Sequence, residues 1–162
     1  MKLREQIAYP ADIDAVFTML CDPAYRRRVC AATYAIDHRV AIQPRGDIVA
    51  VTIVRVMPAD VPAMLRPVVG DRIEIQQTEQ WSTTGDGGQR TADLAVQILG
   101  QPAHMSGTIA LGELGGATVG TIEGELHVRV PFFGGRLADE MVRAFRFALT
   151  VEADVARDYL AR

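Results

Sequence analysis

RLADEMVRAFRFALTVEADVARDY, residues 136–159, decides how this chain must fold. Turned at about 100° per residue, it gathers Leu137, Met141, Ala144, Phe145, Ala148, Leu149, Val155 and Tyr159 on one broad side. Asp139, Arg143, Arg146, Asp154 and Arg157 fall on the other. The pattern predicts one amphipathic helix of roughly 24 residues, about 36 Å long. An apolar side of that length needs a large partner surface. Glu152 interrupts it, because its phase sets a carboxylate among Met141, Phe145 and Ala148. Two readings stay open for Glu152: an ion pair with an arginine of the sheet or emergence at a frayed helix end, or an acid facing a polar, wet pocket.

The rest of the chain supplies the partner surface. Residues 2–9 alternate, with Leu3, Glu5, Ile7 and Tyr9 on one face, which predicts a strand ended by Pro10. Asp12 then reads as an N-cap for a short helix carrying Ile13, Val16, Phe17 and Leu20 inward. Asp22-Pro23 repeats the signal for a second short helix to about Ala31. From Thr33 the period becomes two, with Tyr34, Ile36, His38, Val40 and Ile42 on one face. Pro44-Arg-Gly-Asp47 is a turn, and residues 48–57 are a Val- and Ile-rich run. Strand patterns resume over about 71–82, 89–99, 103–114 and 117–130, joined by Gly85-Asp-Gly-Gly88, Gly100-Gln-Pro102 and Gly115-Gly116. Between them, Pro58 to Gly70 carries three prolines, which exclude a ladder strand. It also carries Val61, Met64, Leu65, Val68 and Val69, too apolar for a solvated loop. It is either a short helix packed on the end of the sheet or a mobile flap.

The order is thus strand, two short helices, six strands, one long helix. We expect a single α+β domain over residues 1–162, its seven-stranded antiparallel sheet curled around the final helix. Such a curl need not close, and its interior can hold a cavity.

Composition narrows the function. The chain is 49% hydrophobic and 23% charged, with a formal net charge of -3 and no long basic block, so a nucleic-acid binder is not expected. Arg26-Arg27-Arg28 reads as a solvated helix face. No apolar run is long enough to span a bilayer, and the first residues enter a strand pattern without a signal-peptide core, so a cytoplasmic protein is expected. Cys21 and Cys30 form no CxxC pair and read as small packing residues. The histidines have no metal-ligand spacing, and no phosphate loop, dinucleotide fingerprint or nucleophile motif occurs. Neither a metal nor a cofactor is therefore expected. His38 reads first as a core or edge histidine, His104 as exposed, and His127 as part of a polar face with Thr121, Glu123 and Glu125. Gln77 and Glu79 lie in phase with Ile73, Ile75 and Trp81, and Trp81 is placed either in the core or at a cavity mouth.

Three stretches carry a resemblance: Ile7-Ala-Tyr-Pro10 with Val16-Phe17, Asp22-Pro23-Ala-Tyr25, and Val128-Arg-Val-Pro-Phe-Phe-Gly-Gly135 leading into the last helix. With the element order, they make the chain resemble the START-like, helix-grip superfamily, which includes Bet v 1-like proteins and polyketide cyclases. Within it, the chain is similar to a family of bacterial proteins of unknown function. The resemblance spans essentially the whole chain, and its motifs are structural. It implies a cavity between sheet and long helix for a lipid, sterol or polyketide-like molecule, in a monomer or homodimer. The expected lining is Met141, Phe145, Ala148 and Glu152 on the helix, with Trp81, His38, Met64 and Leu65 around it. Small residues, Ala144, Ala148, Gly107 and Gly120, would leave the room. An alternative is a cyclase- or hydratase-type enzyme using Glu152 or His38 as general base. A third is a partner-binding module with a solid core. No catalytic residue is assigned.

Overall fold

In a computed structural model the chain is described over residues 1–82 and 88–162. The expected Gly85–Gly87 part of one hairpin turn lies outside the described residues. Strand β1 (Lys2–Tyr9) leads through Pro10 into α1 (Ile13–Leu20) and α2 (Pro23–Ala32). Both helix starts are capped as their sequences dictate. Asp12 accepts the Ala15 N–H at 2.8 Å, and Asp22 accepts that of Ala24 at 2.9 Å, with Pro23 in the first turn. The strands β2 (Asp37–Arg45), β3 (Ile48–Pro58), β4 (Arg72–Ser82), β5 (Arg90–Ile98), β6 (Ala103–Leu114) and β7 (Ala117–Val128) follow, then the long helix. Before β4 come a 3₁₀ turn (Ala63–Leu65) and the one-turn helix α3 (Arg66–Val69); the long helix is α4 (Gly134–Leu160).

The seven strands form one antiparallel sheet in the order β1-β7-β6-β5-β4-β3-β2. Every neighbouring pair but β1–β7 joins strands consecutive in the chain, whereas β1 pairs with the last strand, Lys2 opposite Glu125 through Tyr9 opposite Thr118. The sheet curls around α4 as the period-two and period-3.6 patterns require. Helix α4 packs on β1 and β7 and against α1 and α2. The core includes Ile7, Val16, Met19, Tyr25, Val51, Ile53, Trp81, Leu111 and Ala156. A smaller cluster of Leu65, Val69 and Leu137 closes the N-terminal end of α4, so the proline-rich segment is helical packing on the end of the sheet.

Three local expectations need correction. β2 starts at Asp37 rather than Thr33, because α2 runs on to Ala32 and Tyr34 adopts φ 64°, turning the chain and leaving Tyr34 and Ile36 exposed. Gly107 and Gly120 do not make room for a ligand. A Cβ on Gly107 would lie 2.0 Å from the Glu123 carbonyl oxygen, and one on Gly120 would lie 3.1 Å from Ile7 Cγ2. These glycines let β6, β7 and β1 crowd together where the sheet bends. Arg26, expected on a solvated face, is 3% exposed. Helix α2 lays that residue over the sheet, where a carboxylate of β4 meets it.

Candidate functional site

Between the concave sheet and α4 lies a cavity of about 830 Å³. Its two walls differ in chemistry. Leu3 and Ile7 of β1, Leu94, Val96 and Ile98 of β5, Met105 and Ile109 of β6, and Ile122 and Leu126 of β7 make an apolar wall. Arg55 of β3, Gln77 and Glu79 of β4, Arg26 of α2 and Glu152 of α4 make a polar one. The exposed lining residues Tyr34, Pro58, Asp60, Pro62, Arg143 and Phe147 surround the opening.

The polar wall is built around Glu79, which is 2% exposed. Strand alternation points it inward in phase with Ile75, Gln77 and Trp81. Arg26 grips it with both terminal nitrogens, Nη1 to Oε1 at 3.2 Å and Nη2 to Oε2 at 2.6 Å. Gln77 Nε2 donates to Oε1 at 2.6 Å, and the Trp81 indole N–H donates to Oε2 at 2.6 Å. Four donors therefore saturate this carboxylate. Arg26 is also anchored through Nε to the Leu20 carbonyl at 2.6 Å. Burial acts to lower the Arg26 pKa, but the charges of Glu79 and Glu152, with the hydrogen bonds to Glu79, together outweigh it and hold the guanidinium above its usual range. Gln77 passes the chain of bonds outward, its Oε1 accepting from Arg55 Nη2 at 3.1 Å.

Glu152 lies on the same cavity and forms no ion pair with any described residue. Its Oε1 accepts the Tyr9 hydroxyl at 3.1 Å, while Tyr25 donates its own hydroxyl to the Glu152 backbone carbonyl at 3.2 Å. Burial raises the Glu152 pKa above the ordinary carboxylate value, opposed in part by the Arg26 and Arg55 charges. Burial and the neighbouring Glu152 charge push the Tyr9 phenol well up, so Tyr9 stays a donor. The far end of α4 is tied down by Tyr159, whose hydroxyl donates to Asp22 Oδ2 at 2.6 Å.

Of the expected lining, the structure brings Met141, Phe145, Ala148, Glu152 and Trp81 together around the cavity. Trp81 is fully buried against Phe17 of α1, away from the opening. His38, Met64 and Leu65 do not line it. His38 sits on β2 opposite Arg55, Met64 is half exposed beside Arg136, and Leu65 is spent on the small cluster under α4. Sequence reasoning missed Tyr9, Arg26 and Arg55. The signal for Arg55 was present, since it continues the inward phase of Val51 and Ile53. Cys21 and Cys30 have thiols pushed up by burial, Cys21 to about 11, as inert packing residues would. Among the described residues no cluster of His, Cys, Asp or Glu has the makings of a metal site, and no helix is long and apolar enough to cross a membrane.

A curved antiparallel sheet gripping one long C-terminal helix around a cavity is the START-like, helix-grip fold. A STAR-related lipid transfer protein from Xanthomonas axonopodis matches with a TM-score of 0.59 at 12% identity, over 99% of this chain and 86% of that one. An aromatase/cyclase from Streptomyces sp. R1128 matches with a TM-score of 0.58 at 14% identity, over 96% and 90%. A protein from Thermus thermophilus gives 0.62 at 13% identity, over 96% and 94%. No curated protein matches the sequence. The chain belongs to the family described as "Protein of unknown function (DUF2505)", whose model matches residues 4–160.

Proposed function

We propose that this protein binds one apolar or amphipathic small molecule between its sheet and α4. The observation that carries this reading is the cavity itself. About 830 Å³ falls within the range of roughly 300–1,000 Å³ typical of small-molecule sites, and apolar walls with a few convergent polar groups are their usual lining. Fold neighbours that include a lipid transfer protein and an aromatase/cyclase are in keeping with it. Titration with a neutral apolar dye such as Nile red tests it. The wild type is expected to bind with a blue-shifted emission, and Ala148→Phe, which puts a ring into the space, is expected to lose the signal while staying folded. Wild type that leaves the dye unbound overturns the reading.

One observation favours a catalytic version of the same site. Tyr9 holds Glu152 at 3.1 Å, a donor and an acid together on the cavity, facing its apolar wall. A carboxylate with a raised pKa facing a cavity is the arrangement of a general base. Deuterium exchange at the α-carbon of a ketone bound in the cavity, abolished in Glu152→Gln, tests this; exchange equal to that in buffer excludes it. His38 is not proposed as that base, because it does not line the cavity.

A further inference from the structure

The two carboxylates of the polar wall are not equivalent, and neither are its two arginines. Glu79 has its four acceptor positions filled, and Arg26 is committed at all three nitrogens to Glu79 and Leu20. That pair is complete. Arg55 spends a single N–H on a neutral amide oxygen, and no carboxylate of a described residue lies within 4 Å of it. A guanidinium has five N–H groups in a planar fork that suits a carboxylate. On α4, Glu152 uses one oxygen for Tyr9, and its second has no partner among the described residues. Arg55 and Glu152 line the same cavity.

The charges of this wall do not balance when Glu152 is protonated. Arg26 and Arg55 then face Glu79 alone, with Tyr9 and Tyr25 neutral and His38 beside Arg55 at the sheet edge. A cation left over beside an apolar space is costly unless an anion joins it. The opposite wall offers no polar group across β5, β6 and β7 for a second head to meet. Building on the binding reading above, we propose that the occupant is a long-chain monocarboxylate, its head seated between the Arg55 guanidinium and the Glu152 carboxyl and its hydrocarbon on the β5–β7 wall. Arg55 donates a forked pair of hydrogen bonds to the ligand carboxylate, and Glu152 in its acid form donates a third.

The test is displacement of Nile red by palmitate, by its methyl ester and by hexadecanol, at neutral pH, in wild type, Arg55→Met and Arg55→Lys. Palmitate is expected to displace the dye from wild type about ten- to a hundredfold more tightly than the ester or the alcohol, the worth of a charge-assisted contact. Arg55→Met is expected to erase that preference, bringing palmitate down to the affinity of the ester and the alcohol. Arg55→Lys keeps the charge without the fork and is expected to fall between. Equal displacement by acid, ester and alcohol in wild type overturns the carboxylate proposal and leaves the cavity reading standing. A preference for palmitate that survives in Arg55→Met also overturns it, because the head is then held elsewhere. No dye binding and no palmitate binding overturns both. Should Arg55→Met fail to fold, the three-way comparison in wild type with the lysine variant decides alone. Glu152→Gln, which still offers N–H donors and cannot ionise, is expected to keep palmitate binding; loss of binding there overturns the role given to the acid form.

Discussion

The two walls of the cavity were built by different rules. On β5, β6 and β7 the residues that line the cavity are Leu, Ile, Val and Met, and Gly107, Gly120 and Gly124, in phase with them, are places of close approach. On β3, β4 and α2 the inward positions include two arginines, a glutamine and a glutamate. The apolar wall gains from burial at each residue independently. The polar wall gains only as a set, because removing one member strands the others. Substitutions should therefore be additive and moderate on one side, coupled and severe on the other.

The largest effect is expected from opening the Arg26–Glu79 pair. Arg26→Met leaves the Glu79 carboxylate buried without its cation and with only the Gln77 and Trp81 donors, and should cost about 3–5 kcal/mol in urea unfolding. The double variant Arg26→Met with Glu79→Leu should recover much of that loss, since both charges leave together. A double variant as unstable as the sum of the singles would mean the wall is not coupled.

Next comes the apolar wall. Gly107→Ala drives a methyl into the Glu123 carbonyl, 2.0 Å away, and should cost about 1–3 kcal/mol or more as β6 and β7 separate. Gly112, on the same strand, has open space around a Cβ, so Gly112→Ala should change stability by less than about 0.5 kcal/mol. Similar losses from both would remove strand crowding as the explanation.

Ala148→Phe probes the space between the walls. Overpacking a filled core costs about 1–3 kcal/mol; here the ring enters a cavity, so the melting temperature should barely move while dye binding disappears. A large fall in stability with dye still bound would reverse that expectation.

The smallest effect is the pH dependence of Glu152. Its folded pKa lies above the unfolded value, so its contribution is intact below the unfolded carboxylate pKa. That contribution is lost as pH rises through the folded one. Glu152→Gln should match or exceed wild type at pH 8 and lose its relative advantage at pH 4. A variant strongly destabilised at pH 8 would instead make Glu152 a needed anion for Arg26 and Arg55.

Much of this architecture was legible because it rests on local signals. Asp12 and Asp22 cap helices, alternation marks β1 and β2, a Val- and Ile-rich run marks β3, and residues 136–159 carry a stripe that needs a large surface to cover it. Glu152, Gln77 and Glu79 stood out as polar breaks in apolar phases. Their partners did not. Arg26 sits in a triplet whose neighbours Arg27 and Arg28 look solvated, and only its pairing with Glu79 of β4 separates it from them. Arg55 was hidden in a run otherwise rich in Val and Ile, and Tyr9 stood out only as one residue of a strand face shared with Leu3, Glu5 and Ile7. Met64 and Leu65 were misplaced because apolar content alone does not tell which side of a short helix meets a cavity and which meets another helix.

The β1–β7 pairing has a kinetic side. Six strands can zip together in chain order, β3 and β4 across residues 59–71 and the others over shorter connections, at modest entropic cost. β1 must wait for β7, nearly the whole chain away, before it has a partner at all. The first strand made is thus the last to be stitched in, and Tyr9, which holds Glu152, rides on it. Until that step the cavity lacks a wall and its acid lacks its donor. Competence to bind should accordingly appear with the slowest folding phase, in one step, rather than build up as the hairpins form.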